Sequence, residues 1–221
     1  MLTVPHLFVQ GDLTSAATLT PGLATILNAH VAPDAAIART KLQRDISAPV
    51  DIDINSMRVW NDLGALLPGA ASGDDLAIED NASFGSSTSP YISGGDVGGI
   101  GTDRYARGMV ALPPEYVSGA PVRFEIFAGF LTTAPDDAGF LDLSVYKSNQ
   151  EAGIGSDLVT TEQIDIASTT ISQRNYAITS TGLVAGDLLD FRVHVSTNDV
   201  GDAGAMVPVI GSIQLGCQIQ G

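Results

Sequence analysis

VRFEIFAGFLT (residues 122–132) puts Val122, Phe124, Ile126, Ala128 and Phe130 on one parity and Arg123 and Glu125 on the other. Side chains alternate across a strand, so a repeat of two predicts a strand with one face in a core and the other toward water. DLLDFRVHVS (187–196) repeats the pattern, with Leu189, Phe191, Val193 and Val195 set against Asp190, Arg192 and His194. In RYARGMVALP (104–113), Ala106, Val110 and Leu112 oppose Tyr105, Arg107 and Met109. GFLDLSVYK (139–147) groups Leu141, Leu143 and Val145, and VIGSIQLGCQIQ (209–220) groups Val209, Ile213, Leu215, Cys217 and Ile219. Shorter candidates are MRVW (57–60), DLAIED (75–80), EQIDIA (162–167) and RNYAITS (174–180). Residues 81–103, rich in Gly and Ser, read as a long loop or a loosely paired edge. Roughly eight strands with turn signals between them, and no long amphipathic helix, predict an all-β antiparallel β-sandwich, jelly-roll-like by its strand number.

The first 50 residues lack this period. Pro5, Pro21, Pro33 and Pro49 cut them into pieces too short to bury a face alone. PDAAIARTKLQRD (33–45) suits either a short helix or an extended arm. The expected organisation is therefore an extended, partly helical N-terminal arm over residues 1–55 and a sandwich over 56–221. Charge divides the same way. Residues 1–50 carry three acids and three bases, whereas 51–221 carry 22 acids and 7 bases, out of a net charge of −15 for the 221-residue chain. Such a field repels phosphates and anionic lipid, which argues against nucleic acid and membrane surfaces as partners. The neutral arm is the better candidate for packing against other proteins. Its apolar residues Leu7, Phe8, Leu23, Ile26, Leu27, Val31, Ile37 and Leu42 are the expected interface. Burying such side chains is worth about 1.5–3 kcal/mol each before ordering costs, so the arm is expected to order only against partners. The opening MLTVPHLFVQGDL has no basic n-region and predicts no secretory leader.

Chemical motifs are sparse. His6, His30 and His194 share no i, i+2 or i, i+4 spacing, and Cys217 is the one cysteine, so no local metal pair forms. Asp51-Ile-Asp53-Ile-Asn55 resembles the start of a calcium loop, but Ser56 stands where the turn needs Gly. Ser144-Val-Tyr-Lys147 matches a penicillin-recognising nucleophile motif that requires a helix, and here the local period is two. The glycine runs GGDVGGIG (94–101) and GIG (153–155) fail the spacing of a phosphate cradle. The single Trp60 and five tyrosines argue weakly against a sugar-stacking cleft. No catalytic, cofactor or metal residues emerge, and a non-enzymatic protein without cofactors is expected.

AHVAPDAAIARTKL (29–42), RVWNDLGALLP (58–68), RYARGMVALPPEYVSGAPV (104–122), VYKSNQEAGIGSDL (145–158) and AGDLLDFRVHV (185–195) together resemble small β-rich structural proteins of tailed bacteriophages and prophages. The resemblance implies a virion protein, assembled in the host cytoplasm. It implies a capsid decoration or head-fibre part, homotrimeric, held to the major capsid protein or another virion protein through its arm, with the acidic sandwich exposed. The alternative is a tail-fibre, receptor- or carbohydrate-binding module using the glycine-rich loops near 81–103 and 148–158.

Overall fold

The computed structural model describes residues 45–79, 89–97, 101–135, 138–148, 155–198 and 204–220. These all belong to the compact unit Leu42–Gly221. The eight expected interface residues, His6, His30 and the rest of residues 1–44 of the arm lie outside the described residues.

Among the described residues twelve strands run in chain order: β1 (Asp45–Ile52), β2 (Arg58–Val59), β3 (Asp62–Leu66), β4 (Ala77–Glu79), β5 (Tyr91–Ser93), β6 (Thr102–Ala111), β7 (Val122–Phe130), β8 (Ala138–Ser148), β9 (Ile164–Asp165), β10 (Ser172–Ile178), β11 (Leu188–Asn198) and β12 (Pro208–Gln220). They form two six-stranded sheets. One has the order β10-β7-β12-β5-β4, with β1 also paired to β12, and the other has the order β3-β2-β6-β11-β8-β9. Every ladder between named strands is antiparallel. The long strands β6, β7, β8, β10, β11 and β12 fall in alternate sheets along the chain. That is the winding of a jelly-roll-like sandwich, the architecture expected from the strand number.

The core is built by the residues the alternation selects. Phe124, Ile126, Ala128 and Phe130 of β7 are fully buried, as are Leu141 and Val145 of β8 and Leu189 and Val193 of β11. Phe124 and Phe191 join the two sheets at the centre, with ring centroids 5.1 Å apart and planes at 50°. Space there is tight. A Cβ on Gly108 of β6 would lie 2.4 Å from Phe191 Cζ and 2.7 Å from Met57 Sδ, so only glycine lets the sheet approach the rings. Two buried polar side chains near the core are paired. Tyr176 donates its hydroxyl to the Leu141 carbonyl at 2.5 Å, and burial drives its pKa far above the ordinary phenol value. Asp187, 9% exposed, meets Lys147 at 2.7 Å.

Two expectations change. The sandwich begins at Asp45, because β1 pairs along β12 from Asp45↔Gln220 to Ile52↔Ile213, inside the segment the sequence alone assigns to the arm. Pro49 reads as a breaker in sequence. Among the described residues β1 pairs only with β12, and a strand at a sheet edge tolerates a residue that cannot donate to a ladder. Val209 does not share a face with Ile213. The β12–β7 register shifts between Ile210 and Ser212, so Gly211 is an extra residue that reverses the parity. Ile210 points inward opposite Ala128, and Val209 lies opposite Gly129 on the other side. Val209 is buried there all the same. The segment Ser168–Ile171 passes over Gly129, with carbonyls of Ser168 and Thr170 at 3.0 and 3.1 Å from where its Cβ would be.

Candidate ligand-binding face

The outer face of the second sheet collects the residues that β2, β6, β8 and β11 turn away from the core. Antiparallel register sets them in rows. His194 sits between Tyr105 of β6 and Asp142 of β8, and Arg192 sits between Arg107 and Ser144. Arg58 of β2 stands opposite Arg107. Trp60 follows in the turn between β2 and β3 and reaches the same face.

The rings are in mutual contact. Trp60 and Tyr105 have centroids 5.2 Å apart at 46°, and Tyr105 stacks on His194 at 4.4 Å and 15°. The Arg192 guanidinium lies 5.2 Å from the Tyr105 ring centroid and 5.9 Å from that of Trp60, a cation–π arrangement over both. Polar partners hold two of the rings in place. Trp60 Nε1 donates to Asp74 Oδ2 at 3.0 Å, and His194 Nε2 meets Asp103 Oδ1 at 2.8 Å. Arg107 makes a two-pronged pair with Asp190, its Nε donating to Oδ1 at 2.7 Å and its terminal nitrogen bonding Oδ2. Beside the rings lies a hollow of about 200 Å³ lined by Trp60, Arg107, Tyr146, Asp190, Phe191 and Arg192. Two aromatic walls, a floor of fixed polar atoms and a cationic rim are the ingredients of a small-ligand site. A larger hollow, about 360 Å³, is lined by Pro121, Val122, Arg123, Ala177, Gly216, Cys217 and Gln218. It has no aromatic ring, its one charge is engaged by Glu125 at 2.5 Å, and burial pushes the Cys217 thiol pKa up, away from reactivity.

Asp103 has a pKa below the ordinary carboxylate value, chiefly because His194 hydrogen-bonds to it. Partial burial opposes the shift, while Ser196 and the charge of His194 add to it. A lowered pKa contributes stability that is complete above the unfolded value, about 4, and is lost as pH falls through the lower folded value. Melting curves of an Asp103→Asn variant are expected to fall less steeply than those of the parent between about pH 5 and pH 2. Parallel slopes would show that the contact has no energetic weight. Nearby, Asp75 has a raised pKa through burial and the charge of Asp74, and its Oδ1 is buried without a hydrogen-bond partner.

The other residues singled out in the sequence have structural partners. Asp51 accepts from Gln214 Nε2 at 2.6 Å, and Asp53 caps the 3-10 turn Ile54–Ser56 by accepting from the Asn55 backbone at 2.9 Å. Ser144 and Lys147 point to opposite sides of β8: the Arg192 guanidinium approaches Ser144 Oγ at 3.5 Å, and Lys147 binds the Gly182 carbonyl at 3.1 Å. Among the described residues no group of three or more potential ligands could hold a metal ion, and no helix is long and apolar enough to cross a membrane. Residues 81–88, 98–100 and 149–154 of the loops at 81–103 and 148–158 lie outside the described residues, and Tyr91–Ser93 within the first form β5. Of the one tryptophan and five tyrosines, Trp60, Tyr105 and Tyr146 lie on this face, while Tyr116 and Tyr176 are buried in the core. The sequence had placed Tyr105, Arg107, Asp190, Arg192 and His194 on outward parities. It carried no signal that β2, β6 and β11 are neighbours.

Fold and face together define an all-β sandwich with an aromatic and cationic patch on one sheet. No family model matches the chain, and no curated protein matches it. Among solved structures it is similar to a family 35 carbohydrate-binding module from Clostridium thermocellum, at 15% identity, 76% of this chain, 97% of that one and a TM-score of 0.41. It is also similar to the xylan-binding module CBM15, at 11% identity, 78% and 97% coverage and a TM-score of 0.38. A third is the K1 cleaved adhesin domain of Lys-gingipain from Porphyromonas gingivalis, at 11% identity, 76% and 97% coverage and a TM-score of 0.37. Overlaps of this size carry no functional argument, and the sugar-binding named there belongs to those proteins.

Proposed function

We propose that this protein is a non-catalytic binding module that takes a saccharide on the Trp60–Tyr105–His194 face. One observation carries the reading: a contiguous ring surface roofed by Arg192 and bordered by a hollow whose polar atoms are already oriented. A sugar ring offers a face of C–H groups to aromatic rings and an edge of hydroxyls to fixed donors and acceptors. The Arg107–Asp190 pair and Tyr146 supply both kinds of polar partner beside Trp60. Pre-set side chains lower the ordering cost of binding. The likeness of the sequence to phage structural proteins supports display of such a module on a particle, with residues 1–44 as its attachment and sister subunits beside it. That part rests on sequence alone.

Trp60 is the only tryptophan in the chain, so its fluorescence reports on the face directly. Titration of the full-length protein with cell-surface oligosaccharides is expected to shift or quench that emission in a saturable way. No saturable change across a broad glycan panel, together with no retention on the immobilised glycans, would overturn the reading.

A further inference from the structure

We infer that the preferred ligand carries an anionic group, a carboxylate or a sulfate, and that it sits against a row of arginines across the sheet. This deepens the saccharide reading and rests on it. Pairing of β2, β6, β11 and β8 places Arg58, Arg107, Arg192 and Ser144 side by side in one row. From residue 51 onward the chain has only seven bases among 22 acids, and three of the seven meet in this row. Like charges directly opposite one another on neighbouring strands are destabilising. Asp190 cancels one member of the row, Arg107, and leaves two. Asp190 is held by Arg107 and Asp103 by His194, and Asp74, which keeps its charge, accepts from the neutral Trp60 indole. Asp142, which shares the face, accepts from the Leu143 backbone at 2.9 Å. Among the described residues, Arg58 and Arg192 form no ion pair with a carboxylate, and the closest polar partner of Arg192 is Ser144 Oγ at 3.5 Å. Two guanidinium groups therefore face outward without a counter-ion, one of them poised over the rings that would stack a sugar. Guanidinium is suited to planar, two-pronged recognition of a carboxylate. The strongly negative remainder of the chain repels long polyanions, which restricts the ligand to a short saccharide with few charges.

The test uses the full chain and matched oligosaccharides titrated in parallel: neutral galactans and xylans, oligogalacturonates and glucuronic-acid-substituted xylans, and sulfated galactans. The acidic sets are expected to bind at least about tenfold more tightly than the neutral ones, with affinity falling as salt rises. Comparison of uronate with sulfate distinguishes the two sources of charge. In R58Q and R192Q the ratio of acidic to neutral affinity is expected to fall toward one. Neutral sugars bound as tightly as acidic ones, or a ratio unmoved in both variants, would overturn this inference and leave the saccharide reading standing. Absence of binding to every set would remove both.

Discussion

Replacement of Trp60 by alanine is expected to lower ligand affinity by roughly 30-fold or more while leaving the sandwich folded. The indole touches Tyr105, lies under Arg192 and walls the hollow. Aromatic anchors in such positions commonly carry 2 kcal/mol or more of binding, and about 1.4 kcal/mol is a factor of ten. Trp60 stands in the β2–β3 turn, outside the core that joins the sheets, so its loss removes little of the packing that holds the fold. Calorimetric titration of Trp60→Ala beside its melting curve separates the two effects. Tyr105→Phe is the milder companion: it keeps the stack on His194 and is expected to cost far less affinity. Full affinity in Trp60→Ala would move the site off this face.

Phe124→Ala is expected to act the opposite way. The side chain is fully buried on β7, and its ring meets Phe191 of the other sheet. Its removal leaves a cavity between two sheets whose backbones are held by their own ladders and cannot close on it. Truncations of this kind cost about 3–5 kcal/mol, or roughly 6–20 °C of melting temperature for a domain of this size. Denaturant unfolding gives the free energy, and a double-mutant cycle with Phe191→Leu gives the ring–ring coupling, expected at about 0.5–1.5 kcal/mol. A loss below about 1 kcal/mol would mean that the sheets are not joined through this pair.

The two substitutions mark the boundary between what was legible in the sequence and what was not. Phe124, Phe191, Leu141 and Val193 could be assigned to the core because burial of one strand face leaves a repeat of two, and that repeat survives without knowledge of the partner strands. The same repeat turned Tyr105, Arg107, Arg192 and His194 outward, so half of the candidate site was visible as orientation. β1 was hidden because Pro49 reads as a break, and the face of Val209 was hidden because Gly211 inserts a residue that no periodicity announces.

From its amino acids alone this chain determines that it is all-β, which side of each long strand is apolar, and that its acid is concentrated after residue 50. Each of these follows from local spacing or from composition. Only the tertiary structure decides that β2, β6, β11 and β8 lie edge to edge, and hence that three arginines share a row and that Trp60, Tyr105 and His194 share a surface. The backbone hydrogen bonds that bring these strands together are the same whatever side chains they carry. Order within the sheet is chosen by how the whole core closes, and residues as distant in sequence as Arg58 and Arg192 meet only when it does.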